Sequence, residues 1–142
     1  MPIEITRRAY FCAAHRLHSP HLSEDENRET YGACNNPHGH GHNYCFDVTV
    51  MGEVDPKTGM LINLDVLDEL IEREIIVPVD HHNLNVDVEI MRGVIPTMEN
   101  MLMVFWKQLE PHMPANVSLK QVALRESEKN SAVYTGPRSV TG

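Results

Sequence analysis

The sequence lacks the hydrophobic segments that would place the chain in a membrane. None of its apolar runs approaches the roughly 20 residues of a membrane-spanning helix. The first residues, MPIEITRRAYF, contain no apolar stretch of the kind that directs secretion. We therefore expect a cytoplasmic chain with no membrane partner.

Cysteine is scarce, and basic residues are outnumbered by acidic ones. The three cysteines are an odd number in a chain without a secretory signal, which favours reduced thiols over a disulfide framework. The 12 lysines and arginines face 20 aspartates and glutamates, for a net charge of −8 with neutral histidine. This balance argues against nucleic acid as a partner, although a local basic cluster could still bind an anionic small molecule.

Apolar patterning predicts one α+β domain over residues 1–142, since 42% apolar content is enough for a core and no repeat or linker divides the chain. Period-two patterns predict strands over 3–15, 40–53, 117–127 and 131–135. Helices are predicted from Asn63 to Pro78 and after Thr97. Loops are predicted over 19–39, with one helical turn, and over 78–85. The order β-β-α-α-β-β predicts a four-stranded antiparallel sheet with two helices on one face. Its open edges need partners, so we expect oligomerisation.

Three histidines are positioned to converge on a metal ion. His40 and His42 alternate with glycine in HGHGH and point to one face of a predicted strand. His15 ends the first strand on its apolar face, so antiparallel pairing of the two strands would bring the third imidazole close. Three neutral imidazoles leave one position of a tetrahedral Zn²⁺ open, as in catalytic zinc sites. The alternative is a polar loop that binds nothing, and His38 is a spare ligand candidate.

A cysteine and an Asp-His pair lie in the predicted loops. Cys34 follows a Gly-Ala step, and a nearby Zn²⁺ or imidazolium would favour its thiolate. It could be a ligand, a nucleophile, a proton acceptor or an inert thiol. Asp80 and His81 are adjacent, and because neighbouring side chains rarely bond each other, we expect any relay to involve a third group. A solvated turn is the alternative.

Two glutamates occupy contrasting positions. Glu126 follows Val122 and Leu124 at period two and is predicted to point toward the core. A lone carboxylate there is costly unless it is paired, and a ligand with two N–H donors would pair it; a frayed strand end is the alternative. Glu99 lies in the first turn after Thr97, where a carboxylate complements the helix dipole.

Taken together, these motifs resemble the 6-pyruvoyl-tetrahydropterin synthases. The segments FCAAHRLHSPHLSEDEN, YGACNNPHGHGHNY, GEVDPKTGMLINL, PVDHHNLN, PTMEN and RES follow in that family's order over nearly the whole chain. The resemblance implies the tunnelling fold, in which subunits join their sheets edge to edge into a barrel. It also implies a homohexamer made of two trimers, with active sites at the subunit interfaces.

The resemblance further implies a reaction and a set of roles. The substrate would be 7,8-dihydroneopterin triphosphate, converted with Zn²⁺ into 6-pyruvoyl-tetrahydropterin with release of triphosphate. Zinc would acidify a substrate C–H group, and a thiolate would remove the proton. The matching residues are His15, His40 and His42 for zinc; Cys34 as the base; Asp80 and His81 as a proton-transfer pair from a neighbouring subunit; Glu126, or Glu128 instead, as the pterin anchor; and Thr97 and Glu99 in the pterin pocket.

Two other functions remain open at this point. The 6-carboxy-tetrahydropterin synthases share the fold, zinc and substrate but release acetaldehyde. Five residues separate Cys34 from His40, and this longer CNNP loop favours the pyruvoyl enzyme. A zinc- and pterin-binding protein without turnover is the second alternative, and the presence of Asp80 and His81 beside Cys34 argues against it.

Overall fold

Alternating apolar side chains build the central sheet of the structure, a computed structural model that describes residues 1–138. In chain order, the elements are β1 (Ile3–His15), α1 (Glu24–Tyr31), β2 (His40–Gly52), α2 (Leu64–Ile71, continued to residue 79), β3 (His82–Asn83), α3 (Met98–Leu109), β4 (Val117–Arg125) and β5 (Ser131–Tyr134). The α+β class predicted from the sequence is confirmed.

The sheet of the described chain has five strands, in the order β3-β1-β2-β4-β5. β1 and β2 pair antiparallel from end to end, with Ile3 opposite Gly52 and His15 opposite His40. The prediction of four antiparallel strands is wrong, because the two-residue β3 adds parallel to β1 inside the predicted loop 78–85. Two residues are too few to produce a readable alternation in the sequence.

Helix α1 lies within the predicted loop 19–39, so residues 1–138 contain three helices rather than two. Ser23 caps the helix: its side chain accepts the N–H of Glu26 at 3.1 Å, and the Glu26 carboxylate accepts the N–H of Ser23 at 2.9 Å. This capping box was present in the sequence as SEDE. Only one helical turn was predicted in this segment, and not a full helix, because EDENRETY has no apolar stripe.

Helix α2 begins after Asn63 as predicted but does not end at Pro78. A π turn over Glu72–Ile76 is followed by one further α turn, Val77–Val79. Proline lacks an N–H and its ring crowds the preceding turn, so a regular α-helical ladder does not accommodate it, whereas a wider turn does. The Asp80 N–H then donates to the Ile76 carbonyl at 2.8 Å. The end of the helix therefore lies at the edge of β1.

The core lies between one face of the sheet and helices α2 and α3. Phe46 packs edge-on against Phe105 of α3, with ring centroids 5.2 Å apart. Phe11 stacks on Tyr44 at 4.8 Å and also contacts Phe105 at 6.1 Å. The sheet is therefore covered by helices on one face, as the sequence predicted.

The other face of the sheet carries polar pairs instead of helices. Arg8 on β1 donates two hydrogen bonds to the Asp47 carboxylate on β2, at 2.8 and 2.9 Å. Nearby, the hydroxyls of Thr6 and Thr49 lie 2.7 Å apart. None of the helices within residues 1–138 is long and apolar enough to cross a membrane.

Candidate metal centre and active site

The register of β1 with β2 brings three imidazoles together. His15 lies opposite His40, and Ala13 lies opposite His42. The Nε2 atom of His40 is 3.2 Å from Nε2 of His15 and 3.1 Å from Nε2 of His42. The three histidines form a group that can hold a metal ion. The predicted convergence is therefore present in the structure.

The hydrogen bond between His15 and Pro96 determines which nitrogen of His15 can bind a metal ion. His15 Nδ1 lies 2.8 Å from the Pro96 carbonyl oxygen, which can only accept. The His15 proton is therefore on Nδ1, and Nε2 presents its lone pair to the group. Tetrahedral coordination with bonds of about 2.0–2.1 Å separates ligand nitrogens by roughly 3.3 Å, close to the spacing found here. A backbone carbonyl behind a ligating histidine is also typical of metal sites.

Burial keeps the His15 and His42 imidazoles neutral near pH 7. Removal from water lowers the pKa of His15 to about 4; the charges of His40 and His42 act in the same direction, and the Pro96 hydrogen bond opposes them. Burial also lowers the pKa of His42, although the Glu126 carboxylate partly opposes the shift. Metal binding requires neutral imidazoles, so His15 and His42 are in the correct protonation state.

Tyr44 packs beside the imidazole group, against His15 and His42. No role was assigned to it from the sequence. It is fully buried, and its hydroxyl lies 3.5 Å from Nδ1 of His15. Burial raises its pKa, as do the negative charges of Glu126 and Cys34. The phenol therefore stays protonated. Its place at period two after His40 and His42 was the signal that could have identified it.

Cys34 and Glu126 both lie near the buried Tyr44, since each contributes to raising its pKa. Cys34 is half-buried in a 3₁₀ turn, Gly32–Asn35, and its carbonyl accepts the N–H of Leu17 at 2.9 Å. Within residues 1–138, Cys34 belongs to neither group of potential metal ligands. Glu126 directly follows β4 and is half-buried, whereas Glu128 is exposed.

Thr97 and Glu99 mark the start of α3. The Thr97 hydroxyl accepts the N–H of Asn100 at 3.2 Å, and this cap confirms the predicted helix start. Glu99 is exposed in the first turn. The residue before the cap is Pro96, whose carbonyl binds His15. The PTMEN segment is thereby joined to the imidazole group through one hydrogen bond.

Asp80 and His81 form a direct pair, contrary to the expectation that a third group would join them. His81 Nδ1 lies 3.0 Å from Asp80 Oδ1. The reason is the left-handed backbone of His81, with φ of 61°, which brings adjacent side chains together. Asp80 Oδ1 also accepts the N–H of Cys12 at 2.9 Å. This bond is the main reason that the pKa of Asp80 is lowered.

The Asp80–His81 pair does not join the imidazole group of its own chain. It lies beside Cys12, whose side chain points away from the face that holds Ala13 and His15 because side chains alternate along β1. Among the described residues, the metal-type ligands thus form two separate groups on opposite faces of one strand.

Comparison with known proteins identifies the family. A sequence model of the 6-pyruvoyl tetrahydropterin synthase family matches residues 4–137. The chain belongs to this family. The match confirms the resemblance seen in the sequence motifs. Members of the 6-pyruvoyl tetrahydropterin synthase family are enzymes of the lyase class.

Individual relatives support the assignment over nearly the full chain. The 6-pyruvoyl tetrahydrobiopterin synthase of Poecilia reticulata is 47% identical over 132 residues, covering 93% of this chain and 89% of that protein. The human protein of the same name is 45% identical over 133 residues, covering 94% and 91%. The solved structure of Caenorhabditis elegans 6-pyruvoyl tetrahydropterin synthase is 40% identical, with a TM-score of 0.90 and coverage of 96% and 97%.

Proposed function

We propose that this chain converts 7,8-dihydroneopterin triphosphate into 6-pyruvoyl-tetrahydropterin and inorganic triphosphate. The observation that carries the proposal is the three-imidazole group, with Cys34 and Glu126 near the adjoining Tyr44, in a chain of this family. We also propose that residues 1–142 are a single domain with this activity; residues 139–142 lie outside the described part.

Zn²⁺ is the ion proposed for the group of His15, His40 and His42. The spacing of the Nε2 atoms and the Pro96 bond to His15 fit a tetrahedral ion with one open position. When bound, zinc supplies Lewis-acid polarisation of substrate oxygen atoms at that position. The protein's contribution is to hold three imidazoles in place before the ion binds.

Cys34 acts in this proposal as the base that removes a proton from a substrate carbon. Its exclusion from the ligand group supports this role, because a ligating thiolate would fill the open position. Glu126 binds the pterin, since a carboxylate can accept two charge-assisted hydrogen bonds from an amino group and a ring N–H. Its half-buried place near His42 favours it over Glu128. Thr97 and Glu99 contribute to the rim of the pterin pocket.

Asp80 and His81 return protons at the active site of a neighbouring subunit. Their position on the opposite face of β1 from His15 supports a site shared between subunits. The sheet also ends in two short edge strands, β3 and β5, which can pair with other subunits. The proposed assembly is a homohexamer of two trimers closed into a barrel. A cytoplasmic location agrees with the three free cysteines.

Product analysis tests the function directly. Purified enzyme incubated with 7,8-dihydroneopterin triphosphate should yield inorganic triphosphate and 6-pyruvoyl-tetrahydropterin. Release of acetaldehyde would instead identify a 6-carboxy-tetrahydropterin synthase. Binding of zinc and pterin without any product would identify a binding protein, and either result would overturn the proposal.

A further inference from the structure

A second cluster of metal-type ligands lies on the uncovered face of the sheet. The Cys12 sulfur, the Asp80 carboxylate and the His81 imidazole all lie within 4.8 Å of one another. Cys12 and Asp80 are half-buried, whereas the His81 side chain is 79% exposed. Asp80 and His81 have a place in the proposed reaction, but Cys12 has none.

Hydrogen bonds from backbone N–H groups hold Cys12, Asp80 and His81 next to one another. The Cys12 N–H donates to Asp80 Oδ1 at 2.9 Å, and the His81 N–H donates to the Cys12 carbonyl at 2.7 Å. The next residues pair as strand, with His82 beside Ala13. Adjacent residues such as Asp80 and His81 seldom present both side chains to one point, and here the left-handed backbone of His81 makes this possible.

The surroundings of the cluster suit a cation. It opens into a cavity of about 550 Å³, whose wall includes Cys12, His81 and Asp87 and also His42 of the imidazole group. The thiolate of Cys12 and the carboxylate of Asp80 would supply two negative charges, which matches the charge of a divalent ion. Asp87 adds a third acidic group at the cavity wall.

We infer that Cys12, Asp80 and His81 form a second divalent-cation site, separate from the three imidazoles, that takes Zn²⁺ or a similar soft ion. Sulfur, nitrogen and carboxylate oxygen are the donors that zinc accepts, and three protein ligands leave room for water. On binding, the Cys12 thiol releases its proton to solvent, and the His81 proton moves from Nδ1, which now faces Asp80 Oδ1, to Nε2, so that Nδ1 is free to bind. One proton is therefore released for each ion bound.

Occupation of this site inhibits the enzyme; this consequence rests on the proposed function of Asp80 and His81. The ion would bind His81 through Nδ1, the atom that now faces Asp80 at 3.0 Å. The pair could then no longer move a proton. Excess zinc should lower turnover by about 10²-fold or more, the low end of what a positioned acid–base group contributes.

Cobalt titration of the zinc-loaded enzyme tests the site without relying on activity. With one Zn²⁺ per chain already bound, added Co²⁺ should bind as a second equivalent with a thiolate-to-cobalt charge-transfer band and release of a proton. Cys12→Ser should lose the band and weaken Co²⁺ binding by more than the 10–100-fold that loss of an outer-shell partner costs. Its first zinc and its turnover without added metal should be unchanged.

Cys45 provides a matched control, because it is also half-buried and its β2 position is opposite Tyr10, on the same sheet face as Cys12. Cys45→Ser and Cys34→Ala should both retain the cobalt band. A band that persists in Cys12→Ser, or the absence of a second equivalent in the wild type, would overturn the site. A Cys12-dependent second equivalent that leaves turnover unchanged would support the site and overturn the role assigned to Asp80 and His81.

Discussion

At the scale of single residues, the proposed base is held differently from the metal ligands. The imidazoles of His15, His40 and His42 stand on two fully paired strands. Cys34 stands on a 3₁₀ turn, attached to the end of β1 by the Leu17 N–H bond to its carbonyl. Its side chain can therefore be changed without altering the strand register that forms the metal centre.

We predict that Cys34→Ala keeps zinc and pterin binding but loses turnover by about 10²–10⁴, the range for a positioned acid–base group. The reason is that its thiolate takes the substrate proton without being a ligand. Zinc content, substrate affinity and kcat should be measured on one preparation, with Cys45→Ala as the control that retains activity. Loss of zinc would make Cys34 a ligand, and a near-normal kcat would remove it from the reaction.

A second residue-scale prediction concerns acid stability of the metal-free protein. The folded pKa of His15 is about 4, below its ordinary value of 6.5, so between these values the unfolded chain binds more protons. This contribution to stability is present above pH 6.5 and is lost as the pH falls toward 4. Between pH 7.5 and pH 5 it should lower the free energy of unfolding by about 2 kcal/mol.

Urea unfolding after chelation of the metal would measure this change. His15→Gln has no group that titrates in this range, so its stability should fall less between the same two pH values. An identical loss in the wild type and in His15→Gln would show that the acid sensitivity comes from other groups.

Contacts between functional side chains could be predicted from the sequence only where strand geometry determines them. The convergence of His15, His40 and His42 follows from side-chain alternation and one antiparallel pairing. The direct contact of Asp80 with His81 depends on a left-handed backbone angle at a histidine, which no pattern in the sequence announces.

At the scale of elements, α1 is unusual because its single buried residue is polar. The Asn27 side chain accepts the N–H of Ser19 at 2.7 Å and donates to the carbonyls of Ser19, Leu22 and Ser23 at 3.0–3.2 Å. These bonds fold the segment after β1 back onto the helix. The helix in turn leads directly into the turn that carries Cys34.

We predict that Asn27→Ala destabilises the protein by about 2–3 kcal/mol, because it leaves the buried Ser19 N–H without an acceptor. Chemical denaturation measures the loss, and hydrogen exchange should show that opening is concentrated in residues 19–35. Glu29→Ala, at an exposed position of the same helix, is the control and should change stability by less than about 0.5 kcal/mol. Equal effects of the two variants would deny Asn27 this role.

The helices and strands that could be predicted from the sequence are those with a regular apolar periodicity. β1, β2 and α3 bury a regular stripe and were located correctly. α1 is held by caps and Asn27 instead of a stripe, and β3 is a two-residue addition fixed by its neighbour. The extension of α2 past Pro78 depends on a π turn, which changes the hydrogen-bond ladder without changing the apolar pattern.

At the scale of the whole molecule, each chain carries two separate groups of side chains that could bind a metal ion. The imidazole group and the Asp80–His81 pair lie on opposite faces of β1. The tunnelling-fold barrel implied by the family would place one chain's pair beside another chain's imidazoles. The order of the strands within a chain was largely predictable, whereas the assembly depends on contacts between copies.

We predict that two inactive variants restore activity when mixed. His42→Ala should lose zinc and activity, and His81→Ala should keep zinc but lose turnover. In a randomly reassembled 1:1 mixture, about a quarter of the sites would combine an intact imidazole group with an intact His81 from a neighbour. Light scattering would verify the assembly, and turnover would measure the recovery. Failure to recover in verified mixed oligomers, or an active monomer, would contradict the shared site.

The end-to-end pairing of β1 with β2 also limits which insertions and deletions β1 can tolerate. Cys12 and His15 are separated by an odd number of positions, which is why they serve opposite faces. Inserting or deleting one codon between them would reverse that parity and damage both clusters in a single event. The exposed turn over residues 53–60 can absorb such changes, since no alternation passes through it. We therefore expect β1 to tolerate substitutions but not a change of length, whereas the turn over residues 53–60 tolerates both.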